Sequence, residues 1–140
     1  MRFIDFLEQG LARKTTKDEN LAKALFTTAK NDLIFLNKLQ IDEFSARKIM
    51  TDYYDVLRSI LEAIAALDGY KIYQHEAFTH YLKEKDEESI SIKFERFRKI
   101  RNRINYYGQI ISVEETKDNV EEIKRLIDYL INKYLKFLGS

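Results

Sequence analysis

The sequence has no cysteine, no proline and no tryptophan, and only four glycines and two histidines in 140 residues. Without cysteine there are no disulfides, thiol nucleophiles, thiolate zinc sites or cysteine-held iron–sulfur clusters. His75 and His80 are the only imidazoles, and they stand in His75-Glu76-Ala77-Phe78-Thr79-His80. The H-E-x-x-H zinc pattern puts its histidines at i and i+4 on one helix face. Here one extra residue separates them, which leaves the two rings roughly 140° apart around a helix. Both are expected as surface or capping residues, and neither a metal site nor a cofactor is expected. No apolar run approaches the roughly 18 residues of a membrane span. The start, Met1-Arg2-Phe3-Ile4-Asp5-Phe6, lacks the apolar stretch and small-residue cleavage site of a signal peptide. The expectation is a cytoplasmic protein without membrane contact. Glycine-rich phosphate loops, Walker patterns and nucleophile elbows are also missing, which disfavours the enzymes built on them.

What is present suits a folded domain. Apolar residues make up 45% and charged residues 34%, with 24 Lys and Arg against 23 Asp and Glu for a net charge of +1. Mixed charges and enough apolar mass for a core argue against disorder, and the length fits a single domain over residues 1–140. A net charge of +1 excludes a uniformly basic nucleic-acid binder, though not a local basic patch.

Apolar residues recur at three- and four-residue spacing, the pattern of amphipathic helices, and proline is missing throughout. The spacing predicts helices over about 2–13, 20–39, 42–68, 74–84, 89–107 and 113–137. Thr16 or Asp18 is expected to cap the second, burying Leu21, Leu25, Ala29, Leu33, Leu36 and Leu39. Gly69 and Gly108 supply left-handed stops. Residues 84–88 form an acidic loop, and Ser112-Val113-Glu114-Glu115 reads as a capping box. Long amphipathic helices with short connections predict an all-α, up-and-down antiparallel bundle of four to five main helices plus a short N-terminal helix.

The fifth helix carries unusual charge. Between Lys93 and Arg103 it holds Lys93, Arg96, Arg98, Lys99, Arg101 and Arg103 against Glu95 alone. With Arg101 set at zero on a helical wheel, Phe94, Phe97 and Ile104 fall at roughly +20°, −40° and −60°. Arg101 thus projects from the apolar side, with Arg98 and Asn105 beside it. A guanidinium on such an arc needs a carboxylate, a phosphate or a partner subunit, because an unpaired buried charge is costly. Tyr106 and Tyr107 lie close by. Arginine forks onto phosphate and tyrosine stacks on bases, so Arg98, Arg101, Asn102, Arg103, Asn105 and Tyr106 form a candidate nucleotide or single-stranded RNA site.

Arg101-Asn102-Arg103-Ile104-Asn105-Tyr106-Tyr107-Gly108, late in a small helical chain, resembles the signature of HEPN domains. In that signature an arginine, usually followed by a polar residue, precedes a histidine by four to six intervening positions. Tyr53-Tyr54-Asp55-Val56-Leu57-Arg58 and Gly69-Tyr70-Lys71-Ile72-Tyr73-Gln74-His75-Glu76 are similar to archaeal members of this group. The resemblance implies a bundle that dimerises with the two signature helices facing across a cleft. Active members are metal-independent endoribonucleases; others are partners of minimal nucleotidyltransferases, as toxins or accessory binding subunits. Carried over by position, Arg101 matches the arginine and Asn102 its polar neighbour, while Tyr106 stands where the histidine is expected. A phenol titrates near pH 10, too high for efficient proton transfer at neutral pH. Loss of a general base costs roughly 10²–10⁴-fold.

The leading expectation is therefore a homodimeric RNA- or nucleotide-binding protein, catalytically weak or inactive, that pairs with a minimal nucleotidyltransferase in a toxin–antitoxin-like system. One alternative is a metal-independent endoribonuclease using Arg101 in a dimer-interface cleft, in which Tyr106, Asn105 or a residue elsewhere replaces the histidine. Another is a protein-interaction bundle in which Arg101 pairs with Asp52 or Asp55.

Overall fold

A computed structural model describes residues 1–139. Six α-helices are present among the described residues: α1 (Phe3–Glu8), α2 (Glu19–Leu36), α3 (Ala46–Asp68), α4 (Glu76–Glu84), α5 (Glu88–Tyr107) and α6 (Val113–Leu130). They form the expected all-α helical bundle, organised around α3. That helix buries fourteen of its residues, from Ala46 to Ala66, and packs against α2, α5 and α6. Helix α4 in turn covers α5 and α1. The core is continuous and includes Phe6, Phe26, Tyr53, Tyr54, Leu57, Phe78, Phe94, Phe97, Ile123 and Leu130. No helix among the described residues is long and apolar enough to cross a membrane.

The ends of the helices follow local chemistry. Asp18 caps α2 by accepting a hydrogen bond from the Leu21 amide at 2.9 Å. Ser112 caps α6 by accepting one from the Glu115 amide at 3.0 Å. Gly69 and Gly108 end α3 and α5 with left-handed φ values of 84° and 63°, where a side chain would be strained. The third helix begins at Ala46 rather than Asp42. Asp42 instead accepts hydrogen bonds from the Phe44 and Ser45 amides, forming a turn that the helix follows.

Further expectations are corrected. The first helix stops at Glu8, and Gly10 turns the chain with φ 75°. Ala12–Lys14 then forms strand β1, antiparallel to β2 (Tyr70–Ile72), with Ala12 opposite Ile72 and Lys14 opposite Tyr70. Three-residue strands are too short to display the alternation that would reveal them. On α2 the buried stripe is Ala22, Phe26, Ala29 and Leu36, while Leu21 and Leu39 are exposed. Over the first two turns Ala22 and Phe26 displace the stripe by one residue from Leu21 and Leu25, whereas Ala29 and Leu36 are buried as expected and Leu25 and Leu33 pack half-buried against the core. The 84–88 loop contracts to a turn, and Glu87 within it is buried. Beyond Leu130 the last helix widens into a π turn, Ile131–Leu135, and then tightens into a 3₁₀ turn, Lys136–Leu138.

That widened turn serves a buried carboxylate. Glu87 accepts hydrogen bonds from Tyr129, Lys133 and Tyr134. Burial pushes its pKa up, but those three donors outweigh burial and hold it below the usual carboxylate range.

Candidate functional site

The fold neutralises half of the basic segment on α5. Lys93 lies 3.7 Å from Glu122 of α6, and Arg96 pairs with the same carboxylate. Arg98 pairs with Glu95, its Nε 3.1 Å from Oε1. Glu95 also accepts from Thr79 Oγ1 at 2.7 Å. Burial pushes the Glu95 carboxyl up, yet the bonds from Arg98 and Thr79 leave it lowered. Among the described residues Lys99, Arg101 and Arg103 make no ion pair.

Helix geometry separates these three cations. Arg103 is two residues beyond Arg101 and so about 160° away around α5. With Arg96, Lys99, Asn102 and Tyr107 it lines a shallow surface hollow. Arg101 faces α3 instead. Its guanidinium carbon lies 5.8 Å from the ring centres of both Tyr54 and Tyr106, and Nη1 is 3.5 Å from the Tyr106 hydroxyl. Its Nε is buried and has no hydrogen-bond partner. Aromatic faces stabilise a cation modestly but do not neutralise it. The proposed carboxylate partners do not take that role: Asp52 pairs with Lys48 at 3.3 Å, and Asp55 is in no ion pair among the described residues. Burial raises the pKa of Asp55, against the opposing pull of Arg58 and Arg101.

Behind Arg101 stand residues from two further elements. Tyr54, fully buried on α3, lies with its hydroxyl 3.1 Å from His75 Nδ1. Burial pushes the phenol pKa up, partly countered by Arg101, Arg58 and Arg98. Arg58, one turn along α3, pairs with Glu62, and its Nε is also buried without a partner. His75 stands at the N-cap position of α4, but its side chain accepts no hydrogen bond from the helix, so of the surface or capping roles expected of it the capping one is not taken. It is half-buried. Burial, reinforced by Arg58, Arg101 and Arg98, lowers its pKa to about 4, so the ring is neutral at pH 7. His80 lies elsewhere, its ring 5.0 Å from that of Phe6. No group of three or more metal-ligating side chains occurs among the described residues.

The structure thus brings Arg98, Arg101 and Tyr106 together, turns Asn102 and Arg103 to another flank, and leaves Asn105 exposed. Tyr54, Arg58 and His75 join the site without having been singled out for it. Tyr54 and Arg58 are four apart on one helix, a spacing that marks a shared face. Nothing in the local sequence of His75 signals that the β-ribbon returns it to α3. In comparison with known protein families, curated proteins and solved structures, the chain matches none.

Proposed function

We propose that the chain binds the phosphate groups of RNA or of a nucleotide at Arg101, in the manner of a HEPN domain that has lost its signature histidine. The observation that carries this reading is the half-buried Arg101 guanidinium, set beside two tyrosine rings, its Nε unbonded and in no ion pair among the described residues. An oxyanion would supply the missing charge, and guanidinium forks match phosphate oxygens in geometry. Tyr106, 70% exposed at the rim, offers a face on which a base can stack. Arg98 adds a second guanidinium, though Glu95 already occupies it. The same reading makes the protein a homodimer with its α5 helices facing each other, and a minimal nucleotidyltransferase its partner in a toxin–antitoxin-like pair. It also places the protein in the cytoplasm, where RNA is available.

Fluorescence anisotropy with a labelled single-stranded RNA, in the presence of EDTA, tests the site. Binding to the unaltered protein and a loss of about 10-fold or more in Arg101→Ala are expected, since a charged hydrogen bond of that kind is worth roughly 1.5–3 kcal/mol. Equal affinities would remove Arg101 from the site. Cleavage of the RNA that Arg101→Ala abolishes would instead assign the site to a metal-independent endoribonuclease.

A further inference from the structure

The Tyr54 hydroxyl is buried, and His75 Nδ1 is its only hydrogen-bond partner among the described residues. A buried phenol O–H needs an acceptor, because an unsatisfied donor in the core is costly. Tyr54 therefore donates and Nδ1 accepts. A neutral imidazole that accepts at Nδ1 carries its proton at Nε2. The pairing fixes the tautomer, and it leaves His75 with a free N–H donor on the side of the ring away from Tyr54.

The surroundings of this donor are electropositive. Tyr54 joins the two residues: the Arg101 guanidinium carbon lies 5.8 Å from the centre of the ring whose hydroxyl is 3.1 Å from His75 Nδ1, and Arg58 of α3 and Arg98 and Arg101 of α5 all act on the imidazole. The acids of the cluster are Asp55 and Glu62 on α3, Glu95 on α5 and Glu76 beside His75. Glu62 and Glu95 are committed to Arg58 and Arg98, and Glu76 acts on Arg98. Among the described residues Arg101 alone of the three arginines lacks an ion pair.

We propose that His75 is a second recognition residue of the Arg101 site: its Nε2–H donates a hydrogen bond to the phosphoryl oxyanion that Arg101 holds, and Tyr54 is the positioning residue that fixes the tautomer. This rests on the reading of Arg101 as a phosphate-binding residue. The ligand chemistry is a phosphoryl oxyanion, from either the terminal monoester of a nucleotide or the diester of an RNA backbone. An anion at Arg101 offsets the positive field on the imidazole, so its binding and the protonation of His75 reinforce one another reciprocally.

Nitrogen-15 NMR of the histidine ring, with titrations of inorganic phosphate, adenosine 5′-monophosphate and a dinucleoside monophosphate, tests the proposal. In the free protein His75 is expected as the Nε2–H tautomer; Tyr54→Phe should release it to a mixture of tautomers. Saturation with an anion should shift the Nε2 resonance and raise the His75 pKa. His75→Ala should weaken binding about 10-fold, while His75→Gln, which retains an N–H donor at similar reach, should recover most of that loss. Comparable affinity for the diester identifies an RNA backbone as the source, and monoester-only binding identifies a nucleotide; the loss in His75→Ala supports the proposal in both cases. Equal affinity in His75→Ala with loss in Arg101→Ala would overturn the role of His75 and leave the Arg101 site standing. No anion binding by the unaltered protein would overturn both.

Discussion

At the scale of single residues, the central fact is a half-buried cation that is in no ion pair among the described residues. Arg101 was legible in the sequence because a helical wheel needs only local spacing to place it on the apolar arc beside Phe94, Phe97 and Ile104. Its tyrosine neighbour Tyr54 and the imidazole behind it were not, since they depend on a tertiary contact between residues 54 and 75. His75 also leaves a mark on stability. Its pKa falls from 6.5 to about 4 on folding, first through burial and then through the three arginines. The unfolded chain therefore takes up a proton more readily, and stability is lost as pH falls from about 6.5 towards 4. Urea unfolding at intervals across that window should show the decline, and His75→Leu should flatten it.

At the scale of elements, the amphipathic pattern revealed all six helices because their apolar period of 3.6 persists over several turns. The β-ribbon escaped, since its strands span three residues each and lie far apart in the chain; Gly69 stands at its end. The Thr15 amide donates to the Gly69 carbonyl at 2.7 Å, and a Cβ built on Gly69 would stand 2.8 Å from the Thr15 carbonyl oxygen. Gly69→Ala meets both this contact and a left-handed φ, which costs about 1–3 kcal/mol. A lower urea midpoint with an unchanged slope is the expected result. The C-terminal π turn was equally hidden: its Lys133 and Tyr134 bond Glu87, a tertiary contact that the sequence of residues 131–135 does not display. Glu87→Ala strips Tyr129, Lys133 and Tyr134 of their acceptor, with an expected loss of about 1–3 kcal/mol by the same measurement. Because the Glu87 pKa is depressed in the fold, its contribution is present above about pH 4.5 and fades as the pH falls further. The Glu87→Ala variant should lack that acid-limb decline.

Across the whole molecule, a net charge of +1 conceals an uneven distribution. Counting residues gave six cations on α5, but the fold assigns Glu122 to Lys93 and Arg96, and Glu95 to Arg98. The electrostatic footprint is narrower than the sequence count, with Arg101 on one flank of α5 and Lys99 and Arg103 on the other. Ion pairing between helices is a property of packing, so no sequence tally could have made that subtraction. The flanks differ in what they offer a ligand. The Arg101 side is partly enclosed and carries oriented donors, while the Arg103 side is open to solvent. Removing a cation from the open flank should weaken RNA binding slightly and similarly for all sequences.

The salt dependence of RNA affinity, compared between the unaltered protein and Arg101→Ala, is the decisive test of phosphate binding at Arg101. Each phosphate contact to a single strand contributes a slope of roughly −0.7 in log affinity against log salt. A shallower slope is expected in Arg101→Ala, reduced by about that amount, together with weaker binding at every salt concentration. Identical slopes and affinities in the two proteins would contradict phosphate binding there.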